Sequence, residues 1–263
     1  MLAKHAARLA LVVQAAVPVA ALAQSEPFPC AHPASFDASF GLNQSDRADA
    51  AINGTQYQGR GPQLSVGATA NAHGVCVEAF ATGGARYLRP VGGGFGSERI
   101  LDGRAELSVL KPVASSSDNR ATLAVGLGAQ VGATNTRHAF GDASGVTNYR
   151  LGIGSVGPAF DASYRAMGGR LFAGASIPLV SIIDHPYVAV SSLDPMPGLR
   201  VASWSSLRGG SGQLGYERSL SRYLTGTLTY RVNGIRYDDA RPVRTLSQML
   251  TFGFRLSRPT EGR

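Results

Sequence analysis

Two stretches near the carboxyl end, Tyr223–Tyr237 and Thr245–Leu256, constrain this chain more than any other feature. Leu224, Leu228, Tyr230 and Val232 recur at even spacing, as do Leu246, Leu250, Phe252, Phe254 and Leu256. Between them stand Thr225, Thr227, Thr229 and Arg231 in the first stretch, and Ser247, Thr251, Gly253 and Arg255 in the second. A period of two, with one apolar and one polar face, specifies extended strands and is incompatible with an amphipathic helix.

The same alternation recurs upstream. It predicts strands at Ser35–Asn43, Gln63–Asn71, Val75–Ala81, Arg104–Lys111, Ala121–Val131, Tyr149–Ala166, Arg170–Ile182 and Gly210–Leu220, ten in all with the closing pair. Short turns follow the second, fourth, sixth and eighth strands; polar, Gly-rich segments at Ser45–Gly61, Gly83–Gly103, Gly132–Asn148 and Asp184–Arg208 read as longer loops. Within Tyr149–Ala166 the apolar residues change from odd to even positions. One residue of slip turns every side chain to the other face, so an unbroken strand there requires a bulge, expected at Gly157-Pro158. Splitting this region instead gives twelve strands.

The chain has 263 residues, 33 of them Gly, and only 16% are charged. That is below the roughly 25% usual for soluble domains, while 44% hydrophobic content excludes a disordered chain. Residues 1–23 carry Lys4, His5 and Arg8, then the apolar run Leu9–Ala21, then the small-residue site Ala21-Leu22-Ala23. This is the pattern of a cleaved secretory signal peptide, which leaves 24–263 as one domain. After it, no apolar run approaches the ~20 residues that a spanning helix needs.

Alternating long and short connections, an even strand number and strands of about 9–12 residues together predict a closed antiparallel up-and-down transmembrane β-barrel, which is an all-β fold. With its signal peptide, Gly-rich strands and final Met249-Leu-Thr-Phe-Gly-Phe-Arg-Leu256 run, the chain resembles the bacterial outer-membrane β-barrel proteins. The resemblance implies a Gram-negative outer-membrane location, contact with outer-membrane lipid, insertion by the barrel assembly machinery, and a monomer. Members of that class often end on an aromatic residue, whereas this chain continues through Ser257–Arg263.

With the apolar rows facing lipid, the opposite rows line a lumen. The expected lining is Asp37, Glu78, Glu106, Asp161 and Glu217 against Arg104, Arg165, Arg231 and Arg255. Opposite charges enclosed in a narrow barrel pair with one another. The leading functional expectation is therefore a structural or small-pore (porin-like) protein, with a small solute as a possible cargo. The formal charge of +8 suits anionic headgroups or an anionic solute; the basic residues are too scattered for a nucleic-acid site. Cys30 and Cys76, in an exported chain, are expected to pair as a disulfide at the short-turn end. Neither a cofactor nor a metal site is expected.

The competing reading is a hydrolase working at the loop-side rim. Asp184-His185 and Asp238-Asp239 resemble the Asp-His and Asp-Asp pairs of the omptin proteases, which orient and deprotonate a water. His138 with a loop serine would resemble the outer-membrane acyl hydrolases, although no spacing singles such a pair out.

Overall fold

Alternation along the chain becomes a closed wall of antiparallel strands. A computed structural model describes residues 34–49, 55–93, 96–139, 146–184, 199–221, 223–238 and 242–257. Its strands are β1 (Ala34–Asp49), β2 (Gln56–Ala72), β3 (Val75–Pro90), β4 (Ser97–Ser115), β5 (Ala121–Ala139), β6 (Val146–Ala166), β7 (Gly169–Ser176), β8 (Val180–Asp184), β9 (Arg200–Ser203), β10 (Leu207–Ser219), β11 (Leu224–Tyr237) and β12 (Val243–Ser257). Successive strands pair from β1 to β7 and from β10 to β12, β7 pairs with β10, β8 pairs with β6 and β9, and β1 pairs with β12, so the sheet closes through ten wall positions. Closure leaves the wall no free edge, as a structure crossing lipid requires. The expected ten-stranded barrel is thus the architecture found. The twelve-segment count arises because β8 and β9 are a short hairpin continuing upward from β7 and β10.

Two of the short turns are set by backbone geometry. His73-Gly74 and Met167-Gly168 each have positive φ at both residues (52° and 76°, 55° and 71°). That is the tight two-residue connection whose twist matches a hairpin. The apolar row of β5, Leu123 to Val131, covers about 26 Å of strand at ~3.3 Å per residue, or roughly 20 Å of height at a tilt near 40°. Outward Leu64 and Leu127 are each 63% exposed on the isolated chain, and Phe252 is 57% exposed. Such exposure makes sense only against acyl chains.

Three expectations need correction. The predicted bulge at Gly157-Pro158 is absent, because β6 pairs with β5 without a register shift from Ala121↔Tyr164 to Ala139↔Val146. The slip lies on the neighbouring strand, where pairing with β6 changes by one residue between Ser176 and Val180. Pro178 sits in that gap and, having no N–H, cannot continue the ladder. In consequence Leu151 and Ile153 face inward.

Second, several strands far exceed 9–12 residues: β1 has 16, β4 and β5 have 19 each, and β6 has 21. Much of what reads as loop at 45–61, 83–103 and 132–148 is strand. Third, the inside-out pattern reverses in these extensions. Tyr57, Leu88, Ile100, Leu151, Tyr237 and Val243 point inward and are buried, while Arg60, Arg89, Arg99, Arg137, Arg150 and Arg244 stand exposed on the outside. Above the lipid the wall meets water, so it adopts the pattern of a soluble barrel. Residues 1–23 lie outside the described residues.

Candidate functional site: the charged lumen beneath a packed loop-side half

The membrane-level interior is polar because the inward positions of β11 and β12 are Thr225, Thr227, Thr229, Arg231, Thr251 and Arg255. It encloses a cavity of about 200 Å³ whose charged lining includes Asp37, Glu78, Asp161, Arg170, Arg231 and Arg255. That volume holds on the order of ten waters and lies below the roughly 300–1,000 Å³ of a typical small-molecule pocket.

The charges are cross-braced. Glu217 accepts from Arg170 Nε at 2.7 Å and from Arg255 Nη1 at 2.5 Å, joining β7, β10 and β12. Arg104 pairs with Glu106 at 2.6 Å and also donates to Gln130 on β5. Higher up, Arg86 meets Asp102 at 2.8 Å across β3 and β4. The Arg231 guanidinium lies 3.3 Å from the centre of the inward Phe80 ring, a cation–π contact between opposite sides of the wall. Among the described residues Asp37, Glu78 and Asp161 have no direct ion pair, and they face the cavity as a carboxylate group. Inward Gly174 keeps room beside them: an added Cβ would come within 2.9 Å of Gln213 and 3.4 Å of Asp161.

Eight of the nine expected lining residues face the interior: Asp37, Glu78, Arg104, Glu106, Asp161, Glu217, Arg231 and Arg255. The ninth, Arg165, is exposed beside the short turn that ends β6 and does not line the cavity. Arg86, Asp102 and Arg170 belong to the network although they were not expected in it. Arg86 and Asp102 lie in a segment that reads as loop, yet they keep the even-numbered inward parity of Glu78 and Phe80 on β3 and of Glu106 on β4.

Above the cavity, the loop-side half is packed. One cluster joins Tyr57, Leu88 and Ile100; another joins Leu151, Ile183, Ala202, Leu207, Tyr237 and Val243. Polar groups fill between them: Arg47 donates to Thr136 at 2.6 Å, and Glu98 Oε1 lies 3.4 Å from His138 Nδ1. The Tyr57 ring meets His138 edge-on at 5.5 Å. Burial pushes the His138 imidazole below the usual histidine value. His138 has no exposed surface, which removes it as a rim nucleophile's base.

The described rim residues, Asp184 and Asp238, are partly exposed and each is paired with an arginine. Asp184 lies 3.7 Å from Arg150. Asp238 lies 2.6 Å from Arg236, whose hydrogen bond holds that carboxyl below the ordinary value. Their expected partners, His185 and Asp239, lie outside the described residues. Cys76 is buried at the short-turn end against Leu110, Ala124 and Ala159, while Cys30 lies outside the described residues. Among the described residues no group of three or more His, Cys, Asp or Glu is placed to hold a metal ion.

No family model matches the chain, and no curated protein matches it. Solved structures do. The outer membrane protease OmpT from Escherichia coli is 9% identical, with a TM-score of 0.57 over 86% of this chain and 96% of that one. The translocator domain of the autotransporter NalP from Neisseria meningitidis is 10% identical over 97% of both chains, TM-score 0.46. The transport unit of the autotransporter AIDA-I from Escherichia coli is 11% identical over 95% of this chain and 97% of that one, TM-score 0.43. At these identities the likeness is one of fold, carried by the first of the three. With its closed ten-strand wall and outward apolar belt, the chain has the fold of the bacterial outer-membrane β-barrel proteins.

Proposed function

We propose that this protein is a sealed, monomeric outer-membrane barrel of structural type, not a solute pathway. The observation that carries this reading is the packing of the loop-side half. Fully buried side chains enter it from all round the wall: Ser45, Tyr57, Leu88, Glu98, His138, Ile183, Leu207 and Val243 come from β1, β2, β3, β4, β5, β8, β10 and β12 respectively. An ion entering the lower cavity meets a packed layer of apolar side chains and mutually engaged polar groups, and stripping its hydration to pass there is unfavourable. The inward charges beneath serve as cross-wall braces.

Planar-bilayer recording tests this. The wild-type chain should show no conductance steps, and a Glu106→Gln/Arg231→Gln variant should stay equally silent, because the barrier lies above those residues. Steady wild-type conductance would sink the reading in favour of a pore. The hydrolase alternative draws on the fold likeness to the outer membrane protease OmpT. Nothing in the described geometry favours it, since Asp184 and Asp238 are both engaged by arginines. Peptide- and lipid-hydrolysis assays of the wild type, compared with Asp184→Asn/Asp238→Asn, decide that point.

A further inference from the structure

We propose that the outward row Arg60–Tyr87–Arg99–Arg137 is a docking site for the phosphate of an anionic lipid headgroup in the leaflet on the loop side. The row is defined by register. Arg60 pairs with Tyr87 across β2 and β3, Tyr87 with Arg99 across β3 and β4, and Arg99 with Arg137 across β4 and β5. All four side chains are exposed, and Arg99 lies 5.8 Å from the centre of the Tyr87 ring.

Two features set the row apart from ordinary surface charge. Arg99 and Arg137 stand directly opposite each other, an arrangement that destabilises a sheet unless something neutralises it. Nothing in the described protein does so: Arg60, Arg99 and Arg137 have no carboxylate within 4 Å among the described residues. The nearest outward carboxylate in the register, Asp46, faces Gln58. A second arginine row, Arg208–Arg236–Arg244 on β10, β11 and β12, shows the contrast, because Asp238 lies 2.6 Å from Arg236 there. One row brings its own anion; the other lacks one.

Depth identifies the partner. The next outward positions below the row include Leu101 (48% exposed), and the belt continues through Leu64 and Val131 at about 60% each. A lipid whose acyl chains lie along that belt presents its phosphate at the level of the guanidinium groups. Cross-strand neighbours have Cβ atoms about 5 Å apart, so Arg99 and Arg137 can share the oxygens of one phosphate through paired N–H donors. Tyr87 sits where barrel aromatic girdles sit, at the water interface. A free phosphate ion would gain the charge contacts but not the apolar ones.

The test is native mass spectrometry of the full chain in detergent with equimolar phosphatidic acid and phosphatidylcholine of identical acyl chains. The wild type should retain phosphatidic acid preferentially. Arg60→Gln/Arg99→Gln/Arg137→Gln should lose most of that preference, roughly fivefold per arginine and on the order of a hundredfold for three. Arg208→Gln/Arg236→Gln/Arg244→Gln should keep it, and millimolar inorganic phosphate should not displace the lipid. Equal wild-type retention of the two lipids, undiminished retention in the first variant, or displacement by inorganic phosphate each overturns the assignment. Should that variant fail to fold, wild-type preference measured against salt decides: it must fall steeply, and a salt-independent preference refutes phosphate recognition.

Discussion

Truncating Leu88 tests whether the loop-side half is a packed core. Leu88 has no exposed surface and packs with Tyr57 and Ile100. Replacing it by Ala removes three carbons, about 2.4 kcal/mol at ~0.8 kcal/mol each. The void cannot close readily, because β3 is hydrogen-bonded on both flanks at this level, to Gly59 on β2 and Glu98 on β4. A residual void of roughly 60 Å³ adds about 1.4 kcal/mol at ~24 cal/mol per Å³. Leu88→Ala should therefore cost about 2.5–4 kcal/mol. Val91→Ala, in the adjoining turn and 48% exposed, should stay within about 0.5 kcal/mol. The assay is reversible urea unfolding of chain refolded into lipid bilayers. It can be read by Trp204, the only tryptophan, which lies in the turn between β9 and β10 at the loop side. If strands ended with the lipid, Leu88 would belong to a water-exposed loop and both variants would behave alike. A Leu88→Ala cost no greater than that of Val91→Ala refutes the packed upper barrel.

Four further outcomes follow from the same geometry. Glu217→Gln leaves Arg170 and Arg255 without their shared carboxylate, and should cost about 3–5 kcal/mol in the same unfolding assay. Leu127→Arg, outward at mid-belt, should cost about 2–4 kcal/mol in bilayers, whereas Asn135→Arg on the same face of β5 should be near neutral; equal costs would misplace the belt. Because burial lowers the folded-state value of His138, the unfolded chain takes up its proton first as pH falls below about 6.5. Stability should be fully present above that pH and decline below it, with Glu98 as the facing carboxylate and the dependence flattened in His138→Gln. Peptide mapping without reductant should recover Cys30 and Cys76 in one linked fragment; recovery of two separately alkylated thiols removes the proposed disulfide.

Parity explains both what was legible in the sequence and what was not. Where lipid surrounds the wall, one face is apolar and the other polar, and the strands stand out: Leu123 to Val131 on β5 and Leu246 to Leu256 on β12 are readable by eye. Where water surrounds it, the same strands keep their parity but exchange their chemistry. On β3 the even positions run from Glu78 and Phe80 through Arg86 to Leu88, all inward, while the odd ones pass from Val77 to Tyr87 and Arg89. A search for one unchanging apolar face loses the strand at the crossover, which is why 83–103 reads as loop. The same crossover produces the false bulge on β6, where Leu151 and Ile153 count as lipid-facing although they belong to the seal. The misreading has a functional cost. Pairs at the rim draw the eye because they stand in apparent loops, whereas the buried groups of the packed loop-side half, Leu88, Ile183 and Val243, stand at inward positions of strands continuing beyond the lipid. Following parity through the change of surroundings, instead of following hydrophobicity, recovers the seal, the Arg86–Asp102 brace beneath it and the outward arginine row beside it from one rule.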